Sequence, residues 1–172
     1  QIGTSVQGNP LSSPEYEGFW RECESLGTIV MLHPLITEEF PLMAGYHLNN
    51  LVGNPWQTTA AACDLIFSGV FCRYPRLKVL LVHGGGFLPY QIGRMEQRCR
   101  VRPECRARLD KSPREVMKTN LYFDGLPHSR ESLELLLKTA GTGRVLYGSD
   151  YPYDMAEYDQ REKLETIGLS PE

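Results

Sequence analysis

The chain lacks both a strong net charge and any long apolar run. Its 172 residues carry a net charge of −3, so the overall charge does not indicate nucleic acid or an anionic membrane as a partner. No apolar stretch approaches the ~20 residues that cross a bilayer. The first residues also lack the basic region and apolar core of a secretory signal. We therefore expect a cytoplasmic protein with no nucleic-acid or membrane partner.

Paired cysteines are missing as well. The five cysteines form no Cys-x-x-Cys pair, and their number is odd, which predicts reduced, mostly buried thiols rather than a disulfide framework or a structural zinc site. The sequence does not begin with methionine, and residues 1–6 are typical of the end of a strand. From these two features we expect the chain to be a fragment.

What the sequence does contain is a regular alternation of strand and helix patterns. Apolar runs predict buried strands, and the amphipathic segments between them predict helices. Strands are predicted at 28–33, 78–83, 120–124 and 144–148, and helices at 13–27, 58–74, 88–100, 113–119 and 129–140. Ser13, Ser112 and Ser129 stand where helix N-caps belong. The alternation favours parallel strands with helical crossovers, which is an α/β fold.

Both a doubly wound sheet and a (β/α)8 barrel fit this alternation. A doubly wound nucleotide binder would concentrate its functional signal in one glycine-rich turn. Here the polar residues follow the ends of several different strands, as they do in barrel enzymes. The sequence therefore favours a barrel. Residues 34–56 show no regular period, and a connection of this length is often functional.

Three strand ends carry side chains that bind metals in proteins. His33 and His83 each end a predicted strand, and Asp150 follows the last one. An imidazole on a rigid strand is a good ligand for a divalent metal. A carboxylate just past a buried strand is costly to desolvate unless it meets a cation or hydrogen-bond donors. A core histidine and an N-capping aspartate are the structural alternatives, but together the three strand ends predict one site.

The glycine triplet after His83 allows two functional interpretations. Gly84, Gly85 and Gly86 would let a substrate, a metal or a second loop come close to the backbone. A phosphate-binding turn is the competing interpretation. However, no lysine or serine follows the glycines, and the pattern is not Gly-x-Gly-x-x-Gly. The triplet therefore favours a site for substrate or metal.

Two further histidines lie outside the strands. His128 follows the strand predicted at 120–124, so it would lie at the same end of the sheet as His33 and His83. His47 lies in the long irregular segment. Each could contact a substrate, and each could equally be a surface residue.

Read in order, the motifs resemble the amidohydrolase-related metal enzymes typified by aminocarboxymuconate-semialdehyde decarboxylase. The motifs are Met31-Leu-His33-Pro34, residues 51–55, Val82-His83-Gly84-Gly85-Gly86, Gly125-x-x-His128 and residues 147–152. The resemblance covers nearly the whole chain. It implies a (β/α)8 barrel, of which residues 1–172 would form a single incomplete domain with about strands four to eight.

The resemblance also implies roles for individual residues. His33 and Asp150 would bind one divalent metal, with zinc as the first expectation and manganese as the second. His83 would be the catalytic base, and Asp150 could also carry a proton. His47, Gly85 and His128 would lie near a small carboxylate substrate. The same resemblance implies a homodimer.

One family feature does not occur in this sequence. The first strand of such enzymes carries a His-x-His pair of metal ligands, and no His-x-His is present here. The resemblance predicts a metal-dependent decarboxylase, a carbon–carbon lyase that acts on a small unsaturated or aromatic carboxylic acid. The alternatives are a hydrolase or hydratase on the same scaffold and an inactive half-barrel fragment.

Overall fold

A computed structural model describes residues 1–35 and 41–168 of the chain. The strands are β1 (Ser5–Val6), β2 (Asn9–Pro10), β3 (Ile29–Leu32), β4 (Lys78–Leu81), β5 (Leu121–Asp124) and β6 (Val145–Leu146). The helices are α1 (Glu17–Ser25), α2 (Asn54–Phe67), α3 (Val70–Arg73), α4 (Leu88–Val101), α5 (Pro103–Arg106), α6 (Pro113–Thr119), α7 (Arg130–Ala140) and α8 (Gln160–Thr166). Within the described segments, no helix is long and apolar enough to cross a membrane.

Four of the strands form one parallel sheet in the order β3-β4-β5-β6. Each pair of neighbours is joined by at least one helix, so the predicted α/β alternation with parallel strands is confirmed. Ile2 adds a parallel bridge to Leu32 beside β3, and its carbonyl accepts a 2.9 Å hydrogen bond from the His33 amide. The chain then turns into the small antiparallel hairpin of β1 and β2.

The two faces of the sheet are buried to different degrees. Val79 and Leu81 in β4, together with Leu121 and Phe123 in β5, are fully enclosed in the hydrophobic core with the helices. The alternate positions point to the opposite face, where Tyr122 is only partly buried and lies under the Arg144 guanidinium, 4.7 Å from its ring centre. Helix packing on one face therefore supplies most of the core.

Two of the three predicted helix caps are confirmed. Ser112 accepts a hydrogen bond from the Glu115 amide, and Glu115 bonds back to the Ser112 amide, so α6 begins with a complete capping box. Ser129 caps α7 through the Ser132 amide. Ser13 makes no side-chain cap bond, because a 3-10 turn over Pro14–Tyr16 precedes α1 and displaces its start.

In the structure, the helix predicted at 58–74 begins earlier, at Asn54, and is shorter, because it ends at Phe67. The irregular segment ends in a π-helical turn over Asn49–Gly53 that continues directly into α2. Residues 36–40 of that segment lie outside the described residues. Helix α2 ends at Phe67 because Gly69 takes a left-handed conformation, with φ of 77°. A Cβ at Gly69 would lie 2.6 Å from the Arg108 carbonyl oxygen, so a side chain would not fit at this position.

Candidate metal and catalytic site

The carboxyl ends of the four parallel strands place the predicted site residues along one edge of the sheet. His33 directly follows β3, and His83 lies two residues after β4. Their rings are in contact, with centroids 5.5 Å apart and planes inclined by 60°. Fifty residues of sequence separate these two histidines, so this contact confirms that the strands bring them together.

Four of the predicted residues other than glycine share an unusual backbone conformation. His47, His83, His128 and Asp150 have φ values of 58°, 59°, 58° and 57°, in the left-handed region. This region costs a non-glycine residue free energy, on the order of 1–3 kcal/mol, and such residues cluster at functional sites. Three of the four residues follow strand ends, since His83, His128 and Asp150 come after β4, β5 and β6.

His83 is the most perturbed of the four histidines. Its Nδ1 is buried and has no hydrogen-bond partner among the described residues. Burial, and then the nearby imidazoles of His33 and His128, together lower the pKa of His83 to about 4. The ring is therefore neutral at pH 7 and holds a nitrogen for which the surrounding protein supplies no partner.

His33 is held in a defined orientation. Its Nδ1 lies 2.9 Å from the Pro34 carbonyl oxygen, and because a carbonyl can only accept, Nδ1 carries the proton in this contact. The lone pair is then on Nε2. A histidine that donates from one ring nitrogen to a carbonyl and keeps the other free has the arrangement usual for metal ligands.

Asp124, at the end of β5, is a site residue that the sequence interpretation missed. Its carboxylate accepts hydrogen bonds from the amides of His83 at 2.8 Å and Gly84 at 2.6 Å. Burial raises the pKa of Asp124, and these amide bonds oppose the shift. The signal was present in the sequence, because a carboxylate that ends an apolar strand poses the same desolvation problem as Asp150.

Two residues at or just before the start of α8 contact groups that follow the strands β5 and β6. Glu157 lies 3.1 Å from His128 Nδ1 and also pairs with Lys163. Gln160, which is only 1% exposed, hydrogen-bonds both the amide and the carbonyl of Gly148, two residues before Asp150. The sequence pattern marked this segment only as polar, so neither Glu157 nor Gln160 was predicted to support the site.

The glycine triplet packs against its own chain. A Cβ at Gly85 would lie 2.6 Å from the Phe123 ring, and one at Gly86 would overlap the Pro55 carbonyl oxygen. Both glycines also have positive φ angles, of 79° and 61°. Gly85 and Gly86 thus have a packing role, and the contact with substrate that the sequence suggested at Gly85 stays a prediction.

A cavity of about 530 Å³ opens beside the catalytic candidates. His83 and His128 line it together, and Leu51, Phe87 and Met155 are among the residues that make its walls largely apolar. His47 is exposed on the loop before α2 and is not part of this lining. The cavity therefore joins two of the predicted residues and leaves His47 outside.

The donors present fit part of a metal site. His33 Nε2 and the Asp150 carboxylate are suitable ligands for a divalent metal, and the unpartnered His83 Nδ1 lies against His33. Over residues 1–35 and 41–168, however, no group of three or more histidines, cysteines or carboxylates lies close enough together to hold a metal ion. Two protein ligands are fewer than the three or four of a zinc site.

Comparisons with known proteins agree with this architecture. A family model described as Amidohydrolase matches residues 1–172. The chain is 39% identical over 168 residues to the 2-amino-3-carboxymuconate-6-semialdehyde decarboxylase of Dictyostelium discoideum, covering 97% of this chain and 46% of that protein. The chain thus spans about half the length of the curated relative it matches.

Solved structures show the same fold. The 5-carboxyvanillate decarboxylase of Sphingomonas paucimobilis superposes with a TM-score of 0.86 at 22% identity, over 98% of this chain and 52% of that chain. The corresponding enzyme of Novosphingobium aromaticivorans, crystallised with manganese, gives a TM-score of 0.84 at 22% identity, over 99% and 51% of the two chains. The predicted partial (β/α)8 barrel is confirmed.

Proposed function

This chain belongs to the amidohydrolase family, and on that premise we propose that the complete protein carrying it is a metal-dependent decarboxylase. Its substrate would be a small unsaturated or aromatic carboxylic acid. The observation that supports this most directly is the contact of His33 with His83, whose buried Nδ1 has no partner among the described residues. The names of the relatives supply the reaction class.

His33 and Asp150 would hold one divalent metal, which supplies Lewis-acid chemistry when bound. One nitrogen and one carboxylate suit zinc, manganese, iron or cobalt. We propose zinc first and manganese second, and the bound manganese of the Novosphingobium aromaticivorans enzyme supports a divalent ion in general. Because these two ligands are too few, further ligands would come from outside the described residues.

His83 would act as the base of the reaction. With its pKa lowered to about 4, the ring is neutral at pH 7 and can accept a proton from water. The bond between the substrate carbon and its carboxylate breaks, and carbon dioxide leaves while the electron pair stays on the carbon. The carbon takes up the proton that His83 accepted, and the hydroxide left by the water is reprotonated from solvent. Asp150, at the neighbouring strand end, could carry that proton as well as bind the metal.

The cavity suits the proposed substrate. Its apolar walls match a flat unsaturated or aromatic body, and His128 offers a polar contact beside His83. His47, on the loop before α2, and Gly85, in the turn after β4, would be further substrate contacts, as the family resemblance implies. We further propose that the complete protein is a cytoplasmic homodimer, as the family resemblance implies.

The test is the variant His83→Ala in the complete protein, assayed for carbon dioxide release from a panel of small unsaturated and aromatic acids. Loss of a general base is expected to lower kcat by roughly 10²–10⁴-fold. Metal content, measured by mass spectrometry, should stay at the wild-type level. Full activity in this variant would contradict the assignment of His83.

The same panel separates the alternatives. Ring opening or hydration without carbon dioxide would favour a hydrolase or hydratase on the same scaffold. A wild-type protein that binds no metal and turns over none of the acids would favour an inactive half-barrel. Carbon dioxide release that depends on added metal is the outcome expected for the decarboxylase.

A further inference from the structure

Asp124 is the buried carboxylate that ends the central strand β5. It is 8% exposed and lies at the edge of the sheet where His33 and His83 meet. Its Oδ2 accepts the His83 amide at 2.8 Å, and its Oδ1 accepts the Gly84 amide at 2.6 Å and the Leu126 amide at 3.4 Å. Both oxygens thus accept from backbone donors, and two of the three donors belong to the turn that carries His83.

The two shortest of these bonds act on the turn that carries His83. His83 and Gly84 both have φ of 59°, so two successive residues are left-handed. Successive amides in such a turn can converge on one anion and form a small concave site for it. A carboxylate placed there stabilises a conformation that His83 would otherwise adopt only at a cost in free energy. The backbone that carries the His83 ring is thus bonded to a side chain 41 residues further along the chain.

Asp124 also contacts the next strand end. A Cβ at Gly148 would lie 3.2 Å from the Asp124 Cβ, and the Gly125 amide donates to the Leu146 carbonyl at 2.9 Å. The side chain thus lies between the end of β4, which carries His83, and the end of β6, which leads to Asp150. Among residues 1–35 and 41–168, Asp124 alone has a side-chain carboxylate that accepts a hydrogen bond from the backbone amide of a predicted site residue.

We propose that Asp124 is a positioning residue for His83: it binds the two amides of the left-handed turn and so directs the imidazole toward His33 and the cavity. The proposal deepens the proposed function and rests on it for the role of His83. The positioning itself can be measured without turnover.

The test compares Asp124→Asn with the matched variant Asp64→Asn in the complete protein. Asp64 likewise accepts a backbone amide, from Ser12 at 3.0 Å, and a hydroxyl from the same residue at 2.7 Å, but it lies on α2 near the β1–β2 hairpin. The asparagine at 124 keeps one acceptor and turns a donor toward one of the two amides. Both variants lose a carboxylate–amide contact, and only one of them should disturb the site.

The first readout is the nuclear magnetic resonance spectrum of isotope-labelled histidine in chelator-treated protein. In Asp124→Asn the His83 ring signals should shift, and the through-space cross-peak between the His33 and His83 rings should be lost. Asp64→Asn should retain both. Unchanged His83 signals in Asp124→Asn would overturn the proposal, whatever the activity of either variant.

The second readout is kinetic. A displacement of about 1 Å can cost roughly 100-fold in rate, so kcat of Asp124→Asn should fall by about that factor with KM and metal content nearly unchanged. If His83→Ala proves fully active while the ring signals still move in Asp124→Asn, the proposed function fails and the positioning role stands. If Asp124→Asn does not fold, hydrogen exchange of the backbone amides in the wild-type protein tests the proposal instead. Slow exchange at His83 and Gly84 is expected, and exchange as fast as in an open loop would contradict the proposal.

Discussion

The two ends of the parallel sheet use buried polar groups differently. At the carboxyl end, His83 and Asp150 are left-handed, and the His83 Nδ1 has no partner among the described residues. At the amino end, Asn120 is 1% exposed, and its amide nitrogen donates to the carbonyls of Pro75 and Leu77, both at 2.9 Å. Satisfied polar groups stabilise a fold, whereas strained and unpartnered ones are typical of chemistry. The amino end of the sheet therefore contributes stability, and the carboxyl end carries the candidate functional groups.

The largest effect is expected from Gly85→Ala at the carboxyl end. The new Cβ would overlap the Phe123 ring, which typically costs about 1–3 kcal/mol. The φ of 79° adds about 1–2 kcal/mol for a residue with a Cβ. Urea unfolding should show the loss of stability, and kcat should fall as well because the His83 turn must move.

Gly93→Ala is the matched control for this substitution. Gly93 lies inside α4 with open space around the position of a Cβ. Alanine there should raise stability by roughly 0.5–1 kcal/mol and leave kcat unchanged. Equal effects of the two substitutions would remove the distinction drawn for the carboxyl end.

At the amino end, Asn120→Ala should lower stability without changing the chemistry. The substitution leaves two carbonyls without their side-chain donor, and an unsatisfied buried group costs roughly 1–3 kcal/mol. Because Asn120 lies at the opposite end of β5 from Asp124, kcat per folded molecule should equal that of the wild type. A large fall in kcat at unchanged KM would show that the two ends are not separate.

The smallest effect is expected from an ion pair at the surface, in which Arg73 is exposed and Glu17 is half-buried. It tests whether the degree of burial, rather than position in the sheet, sets the size of the effect. The hydrogen bond from Arg73, and then that from Tyr74, lowers the pKa of Glu17. A lowered carboxyl pKa contributes stability that is present at neutral pH and is lost as the pH falls from about 4.3 through the lowered value.

Because the Arg73 and Glu17 side chains are 41% and 28% exposed, solvent screening limits this contribution to about 0.5 kcal/mol. Glu17→Gln should therefore lower the free energy of unfolding by that amount at neutral pH and by nothing in strong acid. Urea unfolding of both proteins at the two pH values measures the difference. A loss as large as that of Asn120→Ala would show that burial does not decide the effect.

Much of the fold could be predicted because it depends on local patterns. The apolar run before His83 and the Ser112–Glu115 capping box each contain their own structural reason within a few residues. The break after α2 also has a local reason, because Gly69 takes a left-handed conformation with φ of 77°. The local pattern does not show that a Cβ at this position would meet the Arg108 carbonyl, a contact between residues far apart in the chain.

The candidate site likewise has features that the local sequence predicts and features that depend on contacts between distant residues. Residue type and place at a strand end were enough to identify His33, His83 and Asp150, because parallel strands align their carboxyl ends and few side chains there can bind a metal. The sequence by itself thus determined the α/β alternation, the family and the set of candidate residues. Only the tertiary structure decided how those residues are held. Asp124 beneath His83, Glu157 beside His128 and Phe123 against Gly85 are contacts over 29 to 41 residues of sequence, formed when the strands align.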